Sequence, residues 1–429
     1  MDKMKSEQEH PADLADEIER LPVEEAQQEF QELSEEKRAA VLSELDVESR
    51  PGVLENLEPA EIARLISDLP HNEAADVLGE LDPGIKDLVL TQLSANDREQ
   101  VSHILEYPPD TAGGIMSDRF IALRDWMTIE QAQNLLRERG QTDTNSEPAY
   151  LYVLNASGVL TGIVSVHDLL FRGLTRKIGE VMKTEVQHVS VDDDQEKIAR
   201  LFQHYHYMAL PVLEKNGRLA GVVLASEVMD VLREEATEDM QLMVGLSGEE
   251  RVLTPWQSSV RKRLPWLCIN LATAFLAASV VGLFEKTIAA WTALAVFLPI
   301  VAGQGGNAGT QTLTVIIRDM ALGEISAGDG KKALFKESFL GLINGVVIGL
   351  IVGVVSYMWK GNILLGLVVG AAMVLNMIAA ALSGVLVPYT LKALRVDPAL
   401  ASCIMVTTVT DVAGFFFFLG LATLAQSAR

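Results

Sequence analysis

The chain is poor in cysteine and in basic charge, and its first residues lack an apolar run. Its two cysteines, Cys268 and Cys403, both fall in apolar stretches, which excludes a disulfide framework. The net charge of −23 argues against nucleic acid as a partner. The first ten residues, MDKMKSEQEH, hold no signal-peptide core, so we expect the soluble part to stay in the cytoplasm. No nucleophile paired with a base is visible, which argues against an enzyme.

Charge divides the chain near residue 255. Residues 1–255 hold 51 Asp and Glu against 23 Lys and Arg, whereas residues 256–429 hold 7 against 12. The first part is therefore soluble, very acidic and large enough for two or three domains, and the second predicts a membrane unit. An acidic surface of this kind suits the gathering of divalent cations, although a merely solvated surface is an equally open interpretation.

Five apolar runs in the second part are each long enough to cross about 30 Å of hydrocarbon. They are residues 265–284, 288–317, 339–359, 363–391 and 399–425. With the N-terminus inside, nine Lys and Arg fall on the inner side and three on the outer side, which follows the positive-inside rule. We expect a five-span protein of the plasma membrane with a cytoplasmic N-terminus and an external C-terminus.

Asp411 is the only acidic residue well inside any of these apolar runs. A charge at bilayer depth costs at least about 2.5–3.5 kcal/mol and has to be offset by water, a partner or a cation. Thr407, Thr408 and Thr410 make its surroundings polar. The alternative is a carboxylate hydrogen-bonded between helices, and we take ion handling as the primary hypothesis.

The second run contains a glycine-rich segment, PIVAGQGGNAGTQ, at residues 299–311. Its proline and glycines lower helix propensity, so we expect the helix to unwind there. Freed carbonyls are good ligands for hard cations, which makes Gly305, Gly306 and Asn307 candidate pore residues. Close helix packing through small residues is the alternative.

Asp397 precedes Asp411 by 14 positions, close to four helical turns. In a continuous helix the two carboxylates would share a face, with Cys403 and Thr407 between them on the same stripe. One carboxylate would lie at the cytoplasmic mouth and the other in mid-membrane. A plain N-cap role for Asp397, just before Pro398, is the alternative.

The soluble part begins with a leucine repeat. Leucine recurs every 12 residues from Leu21 to Leu105, each time followed by a turn or capping residue or by Glu. This period fits short helices joined by tight turns and stacked into a superhelix. Such an array is a docking surface, and its role could be pure scaffolding.

A second repeat follows, with units that begin at Ile115 and Val181. Each contains a helix, a strand, a tight turn and a G-h-h-x-x-x-[DE]-h motif, which ends at Asp168 in the first unit and Glu227 in the second. The order resembles a tandem pair of CBS modules, which are α/β. The resemblance implies that Asp168, with Ser165 nearby, holds a nucleotide ribose. Asp168 as an N-cap is the alternative, and Glu227 departs from the usual Asp.

Six carboxylates crowd the segment that leads from the second unit to the membrane: Glu227, Asp230, Glu234, Glu235, Glu238 and Asp239. Their repulsion should push the domains apart until cations bridge them. A solvated charged helix is the alternative. Nearby, His204 and His206 could suggest a transition-metal site, but two histidines without further ligands are usually surface or core residues.

The order of acidic helical domain, CBS pair, linker and five spans resembles the MgtE family of magnesium channels. The motifs that carry the resemblance are DTAGGIM (110–116), RLPW (263–266), GQGGNAGTQ (303–311), DPA (397–399) and TVTDVAG (408–414). They extend over nearly the whole chain.

This resemblance implies a homodimer in the lipid bilayer with a central Mg²⁺ pore, closed by cytoplasmic Mg²⁺ and regulated further by ATP. It places the pore aspartate at Asp411, with Thr407 one turn before it, and the mouth aspartate at Asp397. It also implies a set of regulatory Mg²⁺ ligands: Asp194, Glu196, Glu227, Asp230, Glu235, Glu238 and Asp239. His206 lies where a family member can carry Asp.

We therefore expect four parts: a helical superhelix (1–112), the CBS pair (113–176 and 177–236), a linker helix (237–262) and a five-helix transmembrane domain (263–429). Two other functions stay open. One is transport of Mn²⁺, Co²⁺ or Zn²⁺, although an oxygen-rich path favours hard ions and only Cys403 suggests softer ones. The other is a non-conducting, membrane-anchored sensor of Mg²⁺ or nucleotide, which would have no need of Asp411.

Overall fold

A computed structural model describes residues 9–47, 49–142, 150–246, 250, 252 and 256–427. The chain forms two compact units, Met1–Leu232 and Arg233–Arg429. The predicted start of the strand in the first repeat unit, Ala149, lies outside the described residues, as do Gly248 and Pro255, which were expected to divide the linker.

Eight helices occupy the described residues up to Ile104. They are α1 Pro11–Glu19, α2 Val23–Glu32, α3 Glu35–Glu44, α4 Ser49–Leu54, α5 Pro59–Ser67, α6 His71–Glu80, α7 Pro83–Gln92 and α8 Ala95–Ile104. The repeated leucines lie where helices end: Leu33, Leu45 and Leu81 are C-caps, and the residues after Leu33 and Leu81 are the N-caps of the next helices. Helices two apart in the chain pack together, such as α1 with α3 and α6 with α8. The predicted stack of short helices is confirmed.

The two α/β modules have matching elements. The first holds β1 Ala122–Leu123, α10 Ile129–Thr142, β2 Tyr150–Leu154, β3 Leu160–Ser165 and α11 Val166–Phe171, after a short α9 Ala112–Ile115. The second holds β4 Val189–Ser190, α13 Gln195–Tyr205, β5 Ala209–Leu213 and β6 Leu219–Leu224, after a short α12 Ile178–Val181. Each sheet has one parallel and one antiparallel pair, in the order β1-β2-β3 and β4-β5-β6.

The modules interlock through the segments that precede them. Ser117, before the first module, exchanges backbone hydrogen bonds with Val222 of the second, and Lys183, before the second, does so with Ile163 of the first. The glycine that opens each G-h-h motif makes room for this exchange. A Cβ on Gly221 would lie 2.8 Å from Met116, and one on Gly162 would lie 2.8 Å from Met182.

A long helix, α14 Ala225–Met243, continues directly from β6. It ends before Gly245, whose φ of +80° stops a helix. Among the described residues, the next helix begins at Trp256. The linker is therefore not one helix over residues 237–262, because the left-handed turn interrupts it.

Five long helices make up the rest of the chain: α15 Trp256–Leu283, α17 Ala293–Ala321, α18 Gly330–Lys360, α19 Ile363–Ala393 and α20 Ser402–Ser427, with a short α16 Glu285–Ala290 after α15. Among the described residues, four of them are long and apolar enough to cross a membrane, namely α15, α18, α19 and α20. Helix α17 is long enough, but Gln304, Asn307 and Gln311 dilute its apolar composition. The five-span count therefore stays a prediction.

Candidate functional site

The glycine-rich segment is helical throughout, since α17 runs unbroken from Ala293 to Ala321 with Pro299 inside it. The predicted unwinding is wrong. Freed backbone groups have no water to bind at membrane depth, and the helix keeps its own hydrogen bonds. The glycines instead allow close contacts with neighbouring helices: a Cβ on Gly309 would overlap Val406, and one on Gly306 would meet Thr407 at 3.5 Å. The packing alternative accounts for them.

Helix α20 begins at Ser402, five residues after Asp397. Asp397 is exposed and accepts a hydrogen bond from Ala399 N at 2.6 Å, in a turn that Pro398 initiates. Ala401 follows in the left-handed region with φ +51°. Asp397 and Asp411 therefore do not share a continuous helical face, because the turn at residues 397–401 separates them.

Asp411 lies half-exposed on α20, and no described residue hydrogen-bonds to it or pairs with its charge. The threonines around it, such as Thr407, bond back to carbonyls of their own helix. Gly306 of α17 lies against Thr407, so the structure brings two of the predicted pore residues together. Gly305 is buried, whereas Asn307 is exposed. A lone carboxylate on an apolar helix is chemically suited to attract a cation.

The C-terminal end of α14 packs against α17 and α20, within the second unit. Leu242 and Met243 of α14 pack against Leu313 of α17 and Val406 of α20. The Leu242 carbonyl accepts a hydrogen bond from Ala401 N at 2.8 Å. The linker thus touches both helices that carry the predicted pore residues.

The turn after α14 is held by a buried carboxylate. Glu250 accepts from Arg263 Nε at 2.7 Å, and its side chain is 1% exposed. Gln241 of α14 bonds to the backbone of Glu250 in both directions. These contacts tie Glu250 to both α14 and α15.

A buried carboxylate in the membrane helices was not predicted from the sequence. Glu337 of α18 is 7% exposed and accepts a hydrogen bond from Thr312 Oγ1 of α17 at 3.1 Å. Lys336 lies 3.3 Å from it. The predicted third span began only at residue 339, whereas α18 begins at Gly330. Extending the helical pattern through the charged residues before Phe339 would have found it.

Glu227, one of the predicted regulatory ligands, lies near carboxylates of the N-terminal helical domain. Burial, and after it the nearby charges of Glu73, Asp76 and Asp230, together raise its pKa to about 7. Asn72 donates to Glu227 Oε2 at 3.4 Å. No pattern in the sequence predicts that α6 supplies Glu73 and Asp76 to this place, because they are distant from Glu227 in the chain.

The other predicted ligands are not gathered into one cluster. Asp194 is exposed and caps α13 by accepting from Glu196 N at 2.8 Å, while Glu196 pairs with Arg200. His206 ends α13 in a left-handed conformation. Over the described ranges, no three His, Cys, Asp or Glu side chains converge to hold a metal.

His71 of α6 forms a polar contact between the helical domain and the segment that begins the first module. Its Nδ1 lies 2.6 Å from Asp118 and its Nε2 lies 3.5 Å from Asp97. The hydrogen bond with Asp118 is the main cause that raises the pKa of His71, against the opposing effect of burial. Close by, Arg119 donates to the Leu69 carbonyl at 2.9 Å.

Ser165 and Asp168 form the N-terminal cap of α11. Ser165 Oγ accepts from Asp168 N at 3.1 Å and donates to Asp168 Oδ2 at 2.7 Å. The latter bond holds the pKa of Asp168 below its usual value. Ser165, and not Asp168, is therefore the N-cap of α11, and the Asp168 carboxylate in the first turn remains partly exposed to a ligand.

Three family models match the chain. Residues 298–421 match a divalent cation transporter family, MgtE, residues 9–110 match the MgtE intracellular N domain, and residues 178–234 match the CBS domain.

Two magnesium transporters named MgtE are similar over most of their length. The one from Thermus thermophilus is 36% identical over 354 residues, which is 81% of this chain and 77% of that one. The one from Bacillus subtilis is 32% identical over 334 residues, 78% of this chain and 74% of that one. Among solved structures, the cytosolic domain of the Mg²⁺ channel MgtE in complex with ATP is 32% identical, with a TM-score of 0.50 over 53% of this chain and 93% of that one.

These matches extend from the helical domain through the second α/β module to the last apolar helix. With several apolar helices of spanning length, the chain is a multi-pass membrane protein. Together the findings show that the chain belongs to the MgtE family of magnesium transporters.

Proposed function

We propose that this chain is a homodimeric, Mg²⁺-selective channel that imports Mg²⁺ along a path lined by α17 and α20. The observation that carries the proposal is Asp411, a carboxylate without a described partner on an otherwise apolar helix. A transporter that does not use this group would retain a costly residue for nothing.

Hydrated Mg²⁺ is the form that Asp411 would recognise. Mg²⁺ gives up its waters reluctantly and usually keeps several of them when bound. In a dimer, two Asp411 carboxylates beside one axis would accept hydrogen bonds from those waters. Thr407 lies one turn earlier on the same helix, and Gly306 of α17 packs against it.

The gate is the linker end, Leu242 and Met243, which contacts both pore helices. At low cytoplasmic Mg²⁺, repulsion among Glu227, Asp230 and the acidic residues of α14 separates the soluble domains and releases this end. At high Mg²⁺, bridging ions hold it against the mouth near Asp397. Moving a two-state gate from 1:99 to 99:1 takes about 5.5 kcal/mol, which several ions can share.

Topology and nucleotide regulation complete the proposed function. The N-terminus is cytoplasmic, α17 crosses the membrane as the second of five spans, and the C-terminus is external, in line with the distribution of Lys and Arg. ATP binds the first CBS module at Ser165 and Asp168. The ATP complex of a related cytosolic domain supports this last point.

Replacing Asp411 tests the proposed path. We expect Asp411→Ala and Asp411→Asn to abolish Mg²⁺ flux into reconstituted liposomes, because both remove the charge that attracts the ion. Both variants should still elute as folded protein in detergent. Glu324→Gln is the matched control, since Glu324 is an exposed acidic residue in the loop after α17. Undiminished flux in Asp411→Asn would overturn the pore assignment.

A further inference from the structure

Asn376 is fully buried in α19 and contacts both predicted pore helices. Its Nδ2 donates to the Val301 carbonyl of α17 at 2.9 Å. A Cβ added to Gly414 of α20 would lie 2.7 Å from the same Nδ2 and 3.0 Å from Cγ. A Cβ on Gly305 of α17 would also overlap this amide. The planar amide therefore fills the space between two glycines on opposite helices.

The contact lies beside the proposed ion path. Gly414 follows Asp411 by three residues, so it lies about one turn away on a neighbouring part of the same face. Gly305 is next to Gly306, which packs against Thr407. The amide of Asn376 thus separates Gly305 of α17 from Gly414 of α20, about one turn from Asp411.

Simple packing does not explain an asparagine at this position. Its Oδ1 is buried and has no hydrogen-bond partner among the described residues. Leaving a buried amide oxygen without a donor is costly, and an apolar side chain of similar volume would avoid that cost. What the amide provides is a flat wedge anchored by its hydrogen bond to Val301.

We propose that Asn376 is a positioning residue that sets the separation of α17 and α20 at Asp411 and thereby determines which hydrated cation passes. This inference rests on the proposed function, because it assumes that the ion path runs beside Asp411. Mg²⁺ requires tight octahedral geometry and Ca²⁺ accepts looser coordination. A change in helix spacing should therefore alter the ratio of Ca²⁺ to Mg²⁺ flux.

A pair of substitutions in the full-length protein tests the wedge. In liposomes, Gly414→Ala should lower Mg²⁺ flux by roughly tenfold or more, since overpacking forces close-packed helices apart. Asn376→Ala in the same chain removes the obstructing amide, so the double variant should recover the Mg²⁺ flux of Asn376→Ala alone. Gly420→Ala is the matched control, because a Cβ at this α20 glycine meets nothing within 4 Å.

Ion selectivity separates positioning from a merely structural role. Asn376→Ala should raise the Ca²⁺ to Mg²⁺ flux ratio by roughly tenfold, the scale of discrimination by single well-packed contacts. Wild-type flux in Gly414→Ala, or an unchanged Ca²⁺ to Mg²⁺ ratio in Asn376→Ala, would overturn the proposal. If Gly414→Ala fails to fold, the ratio in Asn376→Ala decides alone. Asp411→Asn in the same assay separates a failure of this proposal from a failure of the proposed ion path. If Asp411→Asn conducts normally, the proposed path itself is wrong. If Asp411→Asn does not conduct and the tests of Gly414 and Asn376 fail, only the positioning role of Asn376 is overturned.

Discussion

Three single residues have polar or charged groups that their surroundings do not fully satisfy. Asp411 has no described partner, Asn376 uses only one side of its amide, and Glu227 lies among other carboxylates. Each arrangement costs stability by itself. In a transporter, a cation can offset the cost at Asp411 and at Glu227.

Glu227 should make the soluble part sensitive to pH. Its pKa rises from 4.5 unfolded to about 7 folded, so the folded form binds more protons between these values. Stability from this group is therefore lost as pH rises from about 4.5 to 7, by up to a few kcal/mol. In Mg²⁺-free buffer, a fragment of residues 1–248 should melt at a lower temperature at pH 8 than at pH 5.5.

Glu227→Gln should flatten this pH dependence and raise the melting temperature at pH 8, because the amide carries no charge to bury. Exposed Glu99→Gln serves as the control and should leave the profile unchanged. The same slope in Glu227→Gln as in the wild type would mean that other groups produce it. Addition of Mg²⁺ at pH 8 should stabilise the wild type more than the Gln variant.

At the scale of elements, caps and turns decide where helices begin, and two of them have functional consequences. Ser165 and Asp168 cap α11, so a nucleotide at this position would meet a carboxylate that is already anionic and fixed. The turn at residues 397–401 begins α20 late and gives the linker end a backbone donor, Ala401 N. A helix end thus serves both as a boundary and as a contact site.

Nucleotide binding should depend on this cap. Isothermal titration of the fragment 1–248 with ATP and with AMP should detect binding of at least one, and Asp168→Ala should weaken it. Because the substitution also removes the hydrogen bond that Ser165 Oγ donates to Asp168 in the first turn of α11, a stability control is needed. Ser94→Ala provides it, since Ser94 and Asp97 form the same hydrogen-bonded pair at α8. Equal ATP affinity in Asp168→Ala and Ser94→Ala would contradict the assignment.

At the scale of the whole molecule, acidic charge and apolar surface are separated along one chain. The carboxylates on α14 lie between the second module and the helices that cross the membrane, and the C-terminal end of α14 contacts α17 and α20. Under the proposed function, a signal generated in the acidic part reaches α17 and α20 through α14 itself.

Removal of residues 1–235 should leave a channel that cytoplasmic Mg²⁺ no longer closes, because the bridged carboxylates are gone. Combined Asp230→Asn and Glu235→Gln in the full chain should shift closure to a higher internal Mg²⁺ concentration. Both can be measured as channel open probability in patches with controlled Mg²⁺ on the cytoplasmic face. A truncated channel that closes at the wild-type concentration would place the sensor in the membrane helices.

The sequence by itself determined the order of the parts. The 12-residue leucine period fixed the stacked helices, the duplicated strand-and-turn motif fixed two α/β modules, and the apolar runs located the membrane helices. These features are local: periodicity, turn residues and hydropathy act within a few turns of chain. The family membership follows from motifs of the same local kind.

Tertiary structure decided which of these features meet. From the sequence alone, the glycines in α17 predict a break in the helix. In the packed structure they are contact points for Asn376 and for α20. Glu337, His71 and the carboxylates of α6 acquired roles only through partners far away in sequence. Whether a glycine unwinds a helix or a carboxylate finds a partner depends on the neighbouring element, because burial and close contact are properties of the packed molecule.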